Sequence, residues 1–301
     1  MATRTARRPE AATPRLDFRT LSVEPFNPVV GAEITGVNLS APLSPEQIAE
    51  IRAAFAAWHV LVFRDQALGD EDHKRFARLF GALHVHPYHA KAAAPDHAAA
   101  AGAAVDPEIL VVKADQASRF VAGEEWHSDV TCDDEPPMGS MLHITRTPEI
   151  GGGDTLFAST VRAYEALSPA MQAFLGGLSA THDGAKPYTG AYGAAPPPGG
   201  WPKTAHPVVI TVPWSGRKAL YVNRGFTTRI NELERKESDA LLDFLWRHIE
   251  SHVEFQCRVR WTPNTLVFWD NWSVQHHAVW DYYPYPRYGR RVSIIDGRPA
   301  A

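Results

Sequence analysis

Cysteine is scarce. Cys132 and Cys257 are the only two in 301 residues, too few for a disulfide scaffold or for a zinc or iron–sulfur site built on several thiolates. That usage fits a reducing, cytoplasmic setting. Long apolar runs are also missing: none approaches the ~20 residues needed to span a bilayer, so no membrane is expected as a partner. Charge of one sign is not in excess. Thirty Lys and Arg against 34 Asp and Glu leave a net charge of −4, no field for holding nucleic acid. Neither G-x-G-x-x-G nor G-x-x-x-x-G-K-[ST] occurs, so nothing suggests a nucleotide fold. Residues Met1 to Leu16 carry Arg4, Arg7, Arg8 and Arg15 but no apolar stretch. They read as a disordered tail rather than a secretory signal, which leaves 17–301 as one expected domain. The chain is 45% hydrophobic and 21% charged, the composition of a folded globular protein. Its unusual features are 14 histidines and nine tryptophans.

Ser44-Pro45-Glu46-Gln47 reads as a helix start. Serine caps, proline suits the first turn, and glutamine three residues on completes a capping box. Asp70 to Phe80 predicts a second helix, stopped by Gly81. Ser168-Pro169 opens another, and Lys236 to His252 is amphipathic. His59 to Phe63 reads as a buried strand. Leu83 to His86 alternates as a strand. Phe255 to Trp261 has strand period, and Thr265 to Trp269 and Arg291 to Ile295 are further strands. Two stretches, Ala90–Pro107 and Gly190–Pro207, are too rich in Ala, Pro or Gly for regular structure and read as long loops, either functional lids or insertions.

Three local patterns carry chemistry. Trp126-His127-Ser128-Asp129 places an imidazole and a carboxylate two residues apart, which in a strand faces both to one side. Alone, such a pair is equally what a surface hydrogen bond looks like. Next, Phe268-Trp269-Asp270-Asn271 leads into Gln275-His276-His277. One of these histidines could complete a two-histidine, one-carboxylate face of the kind that holds non-haem Fe(II) with open positions, or both could merely cap a turn. Finally, Arg287, Arg290 and Arg291 head the last strand, where arginine can clamp an anion in bidentate fashion or simply be solvated.

Together these patterns resemble the taurine dioxygenase (TauD/TfdA) family of Fe(II)- and 2-oxoglutarate-dependent dioxygenases. The likeness also takes in Gly152-Gly153-Asp154-Thr155, Gly31 to Val37, Ala163 to Ser168, and Gly225-Phe226-Thr227-Thr228. It runs from about residue 18 to the C-terminus. It implies a mainly β fold with flanking helices, a double-stranded β-helix or cupin-like jelly roll. By position it implies His127, Asp129 and His276 as iron ligands, with His277 set aside because the family's ligand directly follows the glutamine. Thr155 and Arg287 would hold the distal carboxylate of 2-oxoglutarate. His86, Tyr188, Phe226 and Arg291 match substrate-pocket positions. Gly123, four residues before His127, stands where taurine dioxygenases carry an asparagine.

The implied chemistry consumes Fe(II)-bound 2-oxoglutarate and O2, yields succinate and CO2, and hydroxylates the carbon beside an anionic group. An organosulfonate such as taurine would then release an aldehyde and sulfite. Alkyl sulfate esters and aryloxyalkanoate acids are alternatives. A zinc hydrolase could use the same three ligands but has no need of a diacid clamp, and a non-catalytic 2-oxoglutarate sensor has little use for all three. A small anionic molecule and a homo-oligomeric state are the expected partners.

Overall fold

The computed structural model describes residues 16–87 and 106–301. The expected tail lies outside them except for Leu16, and so does most of the Ala90–Pro107 stretch. The described residues form strands β1 (Ser22–Pro25), β2 (Ala32–Thr35), β3 (Val60–Phe63), β4 (Ala82–Leu83), β5 (Leu110–Ala114), β6 (Gly139–Arg146), β7 (Thr155–Ser159) and β8 (Ser179–Asp183). These are followed by β9 (Lys203–Pro207), β10 (Val209–Thr211), β11 (Lys218–Leu220), β12 (Thr227–Ile230), β13 (Gln256–Val259), β14 (Thr265–Asp270), β15 (Val274–Ala278) and β16 (Arg287–Ile295).

The large sheet runs β1-β2-β3-β14-β6-β16-β4, with β5 also paired to β16. A smaller sheet, β13-β7-β15, faces it. The two sheets enclose one core. Val60 and Val62 of β3, Leu142 and Ile144 of β6, and Val267 and Trp269 of β14 meet Phe157, Cys257, Val259 and Val274 of the small sheet. The alternate side chains of the same strands, Leu61, Phe63, Met141, Leu266 and Phe268, pack on Ile51, Phe55 and Phe76 of the flanking helices. Strands covered on both faces must be apolar at every position, which is why VLVF and TLVFW read as continuous apolar runs. This is the expected jelly roll with helices on its outer face. No helix among the described residues is long and apolar enough to cross a membrane.

The capping box forms as read. Gln47 N–H donates to Ser44 Oγ at 3.1 Å, and Ser44 N–H donates to Gln47 Oε1 at 3.0 Å. The helix it starts, Pro45–Trp58, ends at His59 in a left-handed conformation. The Gly190–Pro207 stretch departs from expectation. Its first residues finish a π-helix, Lys186–Ala191. Its last five form β9, antiparallel to β8 with Asp183 opposite Lys203. β9 is an edge strand, where the missing N–H of Pro207 breaks no ladder, so proline content there does not exclude a strand.

Candidate active site

His127, Asp129 and His276 come together between the sheets. One ligand atom from each lies within 4.8 Å of the others. His127 Nε2 is 3.8 Å and His276 Nε2 3.9 Å from Asp129 Oδ1. The backbone makes this placement. His127 N–H donates to His276 O at 3.1 Å and His276 N–H to His127 O at 2.8 Å, a hydrogen-bonded antiparallel pair that sets the imidazoles side by side, 4.1 Å between centroids. The two-residue strand period is not the cause. His127 forms an isolated bridge, and Asp129 sits in a turn whose next residue, Val130, has φ +48°. The chain approaches closely here: a Cβ on Gly225 would lie 2.8 Å from His127 Cβ.

The donor atoms are prepared for a cation. His127 Nδ1 lies 2.7 Å from Glu125 O, which can only accept, so Nδ1 carries the hydrogen and Nε2 presents its lone pair. Burial lowers the pKa of both histidines and keeps them neutral. For Asp129, burial works toward a higher pKa, but the Arg291 guanidinium, helped by the Ser140 hydrogen bond, outweighs it and holds the carboxyl below its ordinary value. Two neutral imidazoles and one carboxylate on one side suit Fe(II). His277, the other candidate in the pair, points elsewhere and packs on Trp126 at 5.5 Å.

A polar network behind Asp129 escaped the sequence reading. Ser140 Oγ donates to Asp129 Oδ2 at 2.7 Å. Asn271 Oδ1 accepts from Asp129 N–H (3.2 Å) and from Trp269 Nε1 (2.9 Å), and its Nδ2 donates to Ser140 Oγ at 3.0 Å. Ser293 Oγ lies 3.0 Å from Ser140 Oγ. Since the Ser140 hydrogen goes to Asp129, Ser140 accepts from the other two and is fully used. The signals were a serine directly before the apolar pair Met141-Leu142 and the asparagine after Trp269-Asp270. Asp270 itself serves the turn: it accepts the N–H groups of Trp272 and Ser273 and the indole N–H of Trp214.

Arg287 and Thr155 begin β16 and β7 and line the same cavity, about 740 Å³, as the metal face. Both are buried. Trp261 joins them: its Nε1–H donates to Thr155 Oγ1 at 3.0 Å, and the Arg287 guanidinium lies 5.3 Å from its ring centroid. Arg287 has no salt-bridge partner among the described residues, its Nε is unbonded, and burial lowers its pKa. A buried guanidinium without a counter-ion is costly and calls for an anionic ligand. Gly153 lets it close in: at φ +72°, an added Cβ would lie 3.1 Å from both Arg287 Cδ and Tyr282.

Of the expected substrate residues, His86, Tyr188 and Phe226 line the cavity. Tyr188 OH lies 3.3 Å from His86 Nε2, its ring 5.9 Å from Phe226, and Phe226 6.5 Å from His127. The expected Leu83–His86 strand is shorter, since β4 ends at Leu83. His84 turns instead to Asp133 at 2.7 Å. Arg291 also lines the cavity, but its Nη1 donates to Asp129 Oδ1, the oxygen that faces both imidazoles. Arg290, on the opposite side of β16, pairs with Asp70.

The sequence profile of the taurine catabolism dioxygenase TauD, TfdA family matches residues 22–293. The chain belongs to the TauD/TfdA family. An α-ketoglutarate-dependent sulfonate dioxygenase of Saccharomyces cerevisiae is 34% identical over 296 residues, covering 93% of this chain and 68% of the yeast protein. An α-ketoglutarate-dependent sulfate ester dioxygenase of Pseudomonas putida is 32% identical, covering 93% of this chain and 91% of its own. The crystal structure of a taurine dioxygenase from Burkholderia xenovorans superposes with a TM-score of 0.77 at 31% identity, over 93% of this chain and 91% of that one. This TauD/TfdA member is an Fe(II)- and 2-oxoglutarate-dependent dioxygenase with O2 as its second cosubstrate.

Proposed function

We infer that the enzyme oxidises the carbon next to the sulfonate of an organosulfonate whose body is longer or less polar than that of taurine. The observation that carries this reading is the cavity wall beside the metal face. Beside the metal ligands it carries the guanidinium of Arg291, whose Nη1 is bonded to Asp129, and the imidazole of His86, with Tyr188 and Phe226 along an apolar side. A tetrahedral anion can accept bonds from several directions, which suits an arginine and a histidine together.

His127, Asp129 and His276 would hold Fe(II), and Arg287 with Thr155 would hold the distal carboxylate of 2-oxoglutarate. The loaded centre supplies the oxidant that removes a hydrogen from the substrate carbon, with succinate and CO2 as coproducts. The chain's own part is orientation and exclusion of water. Ser140 holds the Asp129 carboxylate, Asn271 holds the Asp129 backbone N–H and donates to Ser140 Oγ, and Glu125 O fixes the His127 tautomer. Arg287 answers a diacid with a preformed charge. Arg291 stands at the boundary of the metal face and the substrate chamber, so the anion it grips lies beside the carbon that reacts. Hydroxylation there leaves an α-hydroxysulfonate, whose C–S bond breaks to give an aldehyde and sulfite.

Residues 17–301 would act as one catalytic domain. The two buried, unpaired cysteines support a cytoplasmic setting, and light scattering on the purified enzyme tests the expected homo-oligomer. The substrate test is a panel of sulfonates, alkyl sulfates and aryloxyalkanoates with Fe(II), 2-oxoglutarate and O2. Succinate is measured throughout and sulfite for the sulfonates. Sulfite from an alkanesulfonate at a rate equal to or above that with taurine supports the reading. Succinate with a sulfate ester or aryloxyalkanoate, and no sulfite from any sulfonate, rejects it.

A further inference from the structure

We propose that the stacked rings of Phe120 and Tyr192 form the specificity-determining wall that receives the apolar tail of the substrate. The inference rests on the anionic-head reading above and extends it to the other end of the molecule.

The two rings come from segments far apart in sequence, yet lie 5.1 Å apart at 19°, and both line the cavity that holds the metal face. Tyr192 is fixed at both ends. Its backbone N–H donates to Pro187 O at 3.0 Å, closing the π-helix that also carries Tyr188. Its hydroxyl accepts the Gly123 N–H at 3.1 Å. Gly123 O in turn accepts the N–H of Ala278 at 2.8 Å, two residues beyond His276 on β15. The aromatic wall is thus tied by two hydrogen bonds to the strand that supplies a metal ligand.

Gly123 keeps the space between wall and metal face open. It has φ +93°, and an added Cβ would lie 3.1 Å from His127 Cε1. No side chain therefore projects between the His127 ring and the Tyr192 hydroxyl at this position. The cavity continues past it to Phe120, which is 48% exposed, and Val111, which is 45% exposed. Large apolar groups left in water beside a cavity mark a surface meant to be covered. The cavity volume of about 740 Å³ takes in the metal face, the Arg287–Thr155 end and this aromatic wall as one continuous space. The chemistry the wall asks for is an uncharged alkyl or aryl tail.

The test is the dependence of kcat/KM on chain length for linear alkanesulfonates from ethane- to octanesulfonate. In the parent, efficiency should climb by up to about fourfold for each methylene the rings cover. Phe120→Ala and Tyr192→Ala should flatten that slope, and Tyr192→Phe, which keeps the ring, should preserve it. Phe120 contributes little to the core, so Phe120→Ala reads the slope even if Tyr192→Ala does not fold. A parental slope retained in Phe120→Ala, or a parent indifferent to chain length, overturns the proposal. If no sulfonate yields sulfite, the head-group reading fails alone, and the same slope is read from succinate with linear alkyl sulfates. Absence of turnover with both series overturns both.

Discussion

Replacing Arg287 with methionine isolates the cosubstrate clamp, because methionine keeps much of the apolar stem and removes the charge with its N–H donors. The guanidinium is buried against Trp261 with no salt-bridge partner among the described residues. Two opposite consequences follow. Without 2-oxoglutarate, the variant should be no less stable than the parent, since a costly buried charge with no salt-bridge partner is gone and only its hydrogen bond to Tyr282 is lost with it. With 2-oxoglutarate, it loses a buried charge pair worth about 2–5 kcal/mol, roughly 30-fold or more in affinity. At a concentration of 100 times the parental Kd, ligand stabilises the parent by about 2.7 kcal/mol, and a 30-fold weaker site by only about 0.9 kcal/mol. Anaerobic thermal unfolding with bound metal, with and without 2-oxoglutarate, reads both effects. An equal rise in Tm for parent and variant would refute the clamp and place the distal carboxylate elsewhere.

The network behind Asp129 gives a second expectation. Ser140→Ala removes the 2.7 Å hydrogen bond to Oδ2 and strands Asn271 Nδ2, so Fe(II) affinity should fall by about 10–100-fold, measured by anaerobic calorimetry; an unchanged affinity means the carboxylate needs no such support. His277→Ala should cost much less turnover than His276→Ala, because the His277 ring packs on Trp126 away from Asp129. Steady-state succinate formation decides, and the reverse order assigns the ligand to His277.

What could be read from sequence followed the range of the interaction. The capping box at Ser44 and Gln47 is written within four residues, and both of its hydrogen bonds are present. The buried strands were legible because burial on two faces demands an unbroken apolar run. At the site, residue types were legible and their geometry was not. His127 and Asp129 converge through a bridge to His276, far along the chain, and a turn at Val130, where strand alternation offered a simpler cause. The Ser140–Asn271 contact joins residues 131 apart, and no local pattern announces it. Arg291 could be assigned to the last strand, though it lies in its middle and not at its head, and its contact with Asp129 depends on the sheets closing. Tyr192 was hidden in a stretch whose Gly and Pro content suggested only a loop.

The central claim, that His127, Asp129 and His276 form the metal face, is tested most directly by anaerobic titration of Fe(II) into the parent and Asp129→Ala. The account predicts one tightly bound ion per chain in the parent, and in the folded variant both weak binding and loss of succinate formation. An Asp129→Ala enzyme that binds Fe(II) as the parent does and still consumes 2-oxoglutarate at the parental rate would contradict it.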